Sequence, residues 1–101
     1  LFEKGTIVKV EPSQLAADPG RYAGQVLQSK LHLVSAFARE VKVAPTFDAI
    51  ARGGTSLLPF SHEVGQKAEE IAKKVGPNGQ VLVTYGLVNK DNITLFDIAV
   101  P

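Results

Sequence analysis

The chain has 101 residues, 45% of them apolar, a formal charge of +1, and neither cysteine nor methionine. Without cysteine there are no disulfides, zinc–cysteine sites, iron–sulfur clusters or thiol catalysis, and basic residues scattered from Lys4 to Lys90 argue against a strong electrostatic footprint for duplex DNA or an anionic membrane. The length suits one domain over residues 1–101 that buries roughly two-thirds of its unfolded surface, no run of about 18 apolar residues offers a membrane span, and a start at Leu1 without methionine points to a processed or excised chain whose compartment, envelope or cytoplasm, stays open.

Gly5 to Val10 (GTIVKV) reads as a short strand, with Ile7 apolar and Lys9 exposed on one reading of its alternation, and Glu11-Pro12 ends it. Ser13 is placed to cap a single helical turn, Gln14 to Ala17, which Asp18-Pro19-Gly20 closes with a turn former, a fixed φ and a permissive glycine. Gln25 to Ser35 (QVLQSKLHLVS) carries the clearest period-two signal, Leu27, Leu31 and Leu33 on one face and Gln28, Lys30 and His32 on the other. Ala36 to Ala51, with Val41, Val43, Phe47 and Ile50, is too irregular to distinguish one long bent strand broken at Pro45 from a strand plus a helical turn, and the strand is preferred. Arg52-Gly53-Gly54-Thr55 marks a turn, and Ser56 to Phe60 is a short strand in which Pro59 demands an edge or rim position.

Ser61 then begins an amphipathic helix to Val75. Its hydroxyl caps, Glu63 sits beside the positive end of the dipole, and Val64, Ala68, Ile71, Ala72 and Val75 form one stripe at a 3.6-residue period. Gly76 and Pro77 stop it. After the Asn78-Gly79 turn, Gln80 to Val88 and Ile93 to Val100 read as an antiparallel hairpin around Asn89 to Asn92. On the first strand Val81, Val83, Tyr85 and Leu87 share a face; on the second, Phe96, Ile98 and Val100 oppose Leu95, Asp97 and Ala99. Neither strand is cleanly half polar, so the expectation is mainly β with one amphipathic helix, closed into a small barrel with one end plugged by that helix.

Leu15, Asp18, Pro19, Tyr22 and Gly24, ahead of the alternating strand, stand at the spacing by which bacterial domains of the OB-fold, the tRNA-anticodon-binding-like kind, lead into their first barrel strand. The chain resembles that family over most of Ser13 to Val100. The resemblance implies a five-stranded antiparallel barrel with its helix at Ser61 to Val75, to which residues 1–12 add an extra N-terminal strand and lead-in. Two positions depart from the pattern: Ser35 and Ala36 stand where a glycine often lets the first strand bend, and the second strand carries Pro45.

Candidate chemistry is sparse. His32 shares a row with Lys30 and has no neighbouring carboxylate, so a solvated histidine is its default. His62 and Glu63 point about 100° apart on a helix and make no metal pair. Asp97 interrupts an apolar strand and must face water, pair with a base or serve a ligand. Arg52 to Ser56 lacks the lysine and spacing of a phosphate loop, Ser56 and Ser61-His62 belong to no nucleophile motif, and Asp48, Asp91 and Asp97 are too dispersed for a carboxylate pair. No catalytic set, metal site or cofactor motif emerges. Three functional readings follow. The preferred one is a non-enzymatic OB-like binding module that presents a barrel face, with Lys30, His32, Arg39, Lys42, Thr84 and Asp97, to a protein or extended ligand. The second is a single-stranded nucleic-acid binder using Phe37, Phe47, Tyr85 and Phe96 for stacking, and the third a small enzyme with its site in the barrel mouth near Asp97, Asp48 or His32.

Overall fold

The computed structural model describes residues 6–37, 39–45, 56–89 and 92–101. Its strands are β1 (Ile7–Lys9), β2 (Val26–Phe37), β3 (Glu40–Ala44), β4 (Ser56–Pro59), β5 (Gln80–Asn89) and β6 (Asn92–Ala99); its helices are α1 (Pro12–Ala17), a 3-10 turn at Pro19–Tyr22, and α2 (His62–Val75). The protein is mainly β with one principal helix. The strands form one six-stranded sheet with the path β4-β3-β2-β5-β6 and β1 joined to β2 outside that path. Every ladder of the path is antiparallel, whereas the added strand β1 runs parallel to β2. Among the described residues no helix is long and apolar enough to cross a membrane.

β2 is the axis of the sheet. Leu27, Ser29, Leu31 and Leu33 are buried, while Lys30 and His32 are exposed and Gln28 is half-buried, the two-residue period expected of a strand with one covered face. Its first half pairs with β5 from Val26↔Gly86 to His32↔Gln80 and with β1 from Ile7↔Val26 to Lys9↔Gln28; its second half passes to β3. The register slips between Leu33 and Ser35. Val34 is the extra residue, so a bulge bends the strand where the sequence offers serine and alanine instead of glycine.

Residues 11–24 cover one end of the sheet. Helix α1 starts at Pro12, whose fixed φ suits a first helical position, and its N-cap is Glu11, not Ser13. Gln14 Oε1 accepts from the Glu11 N–H at 3.0 Å, which satisfies a donor that Ser13, already inside the helix, is not placed to cap. Leu15 is fully buried. Gly24, at φ +79°, donates its N–H to Leu87 O at 2.8 Å; a left-handed backbone there favours glycine.

Helix α2 packs on β2, β3 and β6. Ala68 and Ile71 are buried and Val64, Ala72 and Val75 pack against the core, as the stripe requires. Ser61 Oγ accepts from Val64 N at 3.4 Å, a long cap, and Gly76 ends the helix at φ +74°. The following turn is stitched to the end of β2: Asn78 N–H donates to Leu33 O at 2.6 Å and Leu33 N–H donates to Gly79 O at 2.8 Å. A Cβ on Gly79 would stand 2.6 Å from both Cβ and O of Val75.

The hairpin corrects one expectation. On β5, Val81, Val83, Tyr85 and Leu87 are buried as a set. On β6, however, Leu95 and Ile98 are the buried pair, so strict alternation fails between them. The register slips between Thr84 and Tyr85, with Thr84↔Asp97 followed by Tyr85↔Leu95. Phe96 is the inserted residue. Pro59 stands on β4, at the end of the sheet path, where a missing N–H breaks no second ladder. The expected strand beyond Pro45 (Phe47, Asp48, Ile50), the Arg52 to Thr55 turn, and Lys90 and Asp91 lie outside the described residues.

Candidate functional site

The face of the sheet turned away from the core carries a row of polar residues. Register alone assembles a row across it: Lys9 on β1, Gln28 on β2, Thr84 on β5 and Asp97 on β6. Gln28 Nε2 donates to Thr84 Oγ1 at 3.2 Å, and at the far edge Lys67 of α2 reaches Asp97 Oδ1 at 2.8 Å. Both members of that ion pair are about half exposed, 51% and 45%, so water screens it and it contributes at most about 1 kcal/mol.

Two depressions flank the row. On one side lies a hollow of about 440 Å³ lined by Lys9, Val10, Glu11, Gln14, Gln28, Lys30, Leu82 and Pro101. Among the side chains of the lining, two ammonium groups stand against one carboxylate, over a small apolar patch from Leu82 and Pro101. On the other side lies a hollow of about 290 Å³ lined by Ile7, Val26, Thr84 and Phe96. Ile7 is 49% exposed, which is unusual enough for a strand isoleucine to mark the spot. The β6 bulge aims Phe96 here, a role bulges commonly serve.

Beneath this face a buried clamp holds β1 in place. Ser29 Oγ lies 2.9 Å from Val10 O and 2.8 Å from the Tyr85 hydroxyl. A carbonyl only accepts, so the single Ser29 proton goes to Val10 O and the Tyr85 O–H must donate to Ser29. Burial pushes the Tyr85 phenol above its ordinary pKa, and the Ser29 contact opposes that shift in part. Ser29 can favour the phenolate only by turning its proton away from Val10.

The six residues expected on a shared face are dispersed. Lys30 lines the basic hollow. Thr84 faces outward yet is 8% exposed, and it lines the apolar hollow. Asp97 is engaged by Lys67. His32 Nδ1 lies 3.0 Å from Asn78 O; since the carbonyl accepts, Nδ1 bears the proton, and His32 fastens the α2–β5 turn to β2. Lys42, opposite Ser35 and Leu57, and the exposed Arg39 lie beyond the Val34 bulge. The five steps from Lys30 to Ser35 span about 16 Å of strand, so that basic pair belongs to a different part of the surface.

Sequence reasoning missed Gln14, Gln28, Leu82 and Pro101 as lining residues and left Ile7 and Lys9 without a role. For Ile7, Lys9, Gln28 and Leu82 the signal, outward parity on β1, β2 and β5, was present, but the parallel β1–β2 pairing that brings the first three together was not; Gln14 on α1 and Pro101 after β6 carried no such signal. Of the aromatic candidates for base stacking, Tyr85 is buried with its hydroxyl on Ser29, Phe96 lines the apolar hollow, and Phe47 lies outside the described residues. Compared with known proteins, the chain matches no family model, no curated protein and no solved structure.

Proposed function

We propose that this protein is a non-enzymatic binding module of OB-like build, which presents the outer face of β1, β2 and β5 to an extended ligand. The barrel reading draws support from β4 and β6, the two ends of the sheet path, which lie against one another, and from α2, which packs on strands from both halves of that path. The observation that carries the binding reading is the basic hollow, where Lys9 and Lys30 stand on either side of Gln28. A protein segment is favoured over an oligonucleotide because Tyr85 is withdrawn into the core, which leaves Phe96 as the aromatic among the residues lining the two hollows, whereas single-strand affinity draws on stacking of successive bases on several aromatics. Against catalysis, His32 and Asp97 are both engaged structurally, and neither hollow is lined by them.

The test is a titration of ¹⁵N-labelled protein with a blocked octaglutamate peptide and, separately, with an eight-residue oligothymidylate. The peptide is expected to shift the amides of Lys9, Gln28, Lys30 and Leu82, and Lys30→Glu to abolish those shifts. Shifts from the oligonucleotide alone, weakening with salt as phosphate contacts demand, would replace this reading with single-stranded nucleic-acid binding. Silence on this face from both probes would end it.

A further inference from the structure

The two hollows stand in a fixed geometric relation, and that relation specifies a ligand more narrowly than either hollow does alone. Ile7 and Val26 line the apolar one, Lys9 and Gln28 the basic one. In each case the second residue follows the first by two positions along the same strand, and the register pairs Ile7 with Val26 and Lys9 with Gln28. On β5 the order runs the other way, Thr84 at the apolar hollow and Leu82 at the basic one, as an antiparallel neighbour must. The offset is therefore about 7 Å along the strand direction. The Gln28–Thr84 hydrogen bond forms the ridge between them.

Two residues is also the repeat at which an extended chain returns side chains to the same face. Resting on the binding role proposed above, we infer that the ligand is an extended segment of a partner protein carrying an aliphatic side chain and, two residues away, a carboxylate. The aliphatic group occupies the Ile7–Val26–Phe96 hollow, the carboxylate lies between Lys9 and Lys30, and the intervening side chain points to solvent. Charge complementarity chooses the acidic residue, because among the side chains of the basic hollow two lysines oppose Glu11 alone. A single hollow would accept many anions, but the paired hollows accept this spacing. An oligonucleotide offers no aliphatic group at such a repeat.

The experiment uses blocked threonine-rich peptides containing Leu-Thr-Glu, with three controls: Ala-Thr-Glu, Leu-Thr-Gln, and Leu-Thr-Thr-Glu. Dissociation constants come from amide shifts of the labelled protein. Replacing leucine by alanine is expected to weaken binding about tenfold, from the lost apolar burial, and replacing glutamate by glutamine about threefold, as for an exposed ion pair. The extra threonine turns the glutamate to the opposite face, so that peptide should bind no better than the glutamine control. On the protein, Ile7→Ser should erase the preference for leucine while Lys30→Glu erases the preference for glutamate, and circular dichroism verifies that both variants fold. Equal affinity for all four peptides, with shifts still on this face, would overturn the spacing rule and leave the binding role standing. Shifts from none of them, where octaglutamate also gives none, would remove both. Tighter binding of an oligothymidylate than of the Leu-Thr-Glu peptide would overturn the choice of a protein partner.

Discussion

Replacing Ser29 or Tyr85 tests the direction of the buried proton chain. Tyr85→Phe removes one donor, and Ser29 keeps its bond to Val10 O, so the loss is one net hydrogen bond, about 1 kcal/mol. Ser29→Ala takes away the donor to Val10 O and the acceptor of the Tyr85 hydroxyl together. Each buried group left unsatisfied costs about 1–3 kcal/mol, so this variant should lose about 2–6 kcal/mol. The double variant leaves only Val10 O unsatisfied and should be no worse than Ser29→Ala. Urea unfolding followed by far-ultraviolet circular dichroism reads all three, and amide exchange at Val10, whose N–H donates to Gln28 O at 3.1 Å, should accelerate more in Ser29→Ala than at the centre of β5. A Tyr85→Phe loss larger than that of Ser29→Ala would mean that Ser29 donates to Tyr85 and that the assignment is backwards.

The same tyrosine governs behaviour in alkali. Its folded pKa is raised by burial, while an unfolded tyrosine titrates near about 10; the associated stability is complete below that value and is lost as pH rises through the folded pKa, by at most about 1.4 kcal/mol per pH unit. Unfolding free energies of the wild type and Tyr85→Phe should therefore run parallel up to about pH 10 and converge above it; parallel curves throughout would refute the burial argument. Gly79→Ala, whose methyl would meet the Val75 backbone and side chain at 2.6 Å, should cost about 1–3 kcal/mol through overpacking, seen as a fall in Tm, and an unchanged Tm would show that the end of α2 yields freely. Lys67→Ala and Asp97→Ala should each lose no more than about 1 kcal/mol and couple by no more than that in a double-mutant cycle, a larger coupling being incompatible with a half-exposed pair.

Local patterning made much of the fold legible. The leucine alternation in β2, the apolar stripe of α2 and the buried row of β5 each depend on residues within one element, and each stands as expected. What escaped depends on register between distant segments. The Phe96 bulge exists because Thr84 pairs with Asp97 while Tyr85 pairs with Leu95, and nothing in the run ITLFDIAV marks where alternation breaks. Helix α1 is capped at Glu11 instead of Ser13 because Pro12 is favoured at the first helical position, a cue that is local to the sequence. The candidate site was legible only by residue type. Lys30 was named as an exposed base on β2, but its companions Lys9, Gln14 and Pro101 lie 21, 16 and 71 positions away along the chain and meet it only in the fold, and His32 and Asp97 proved to be fasteners of the fold.

The clamp and the outer face are one mechanical unit. Strand β1 has three residues, too few for its ladder alone to fix the side chains it carries, and it is tied on through Val10, whose N–H reaches Gln28 O and whose carbonyl takes the Ser29 proton. Ile7 and Lys9, which form the outer wall of the two hollows, sit immediately before that anchor. Parity on β2 then divides the labour: Ser29, facing inward, fixes where β1 lies, and Gln28 and Lys30, facing outward on either side of it, complete the basic hollow with Lys9. A hydrogen-bonded serine in the core is thus better suited to this position than an apolar residue of similar size, because it helps set where Lys9 stands relative to Lys30, the pair proposed to hold a carboxylate.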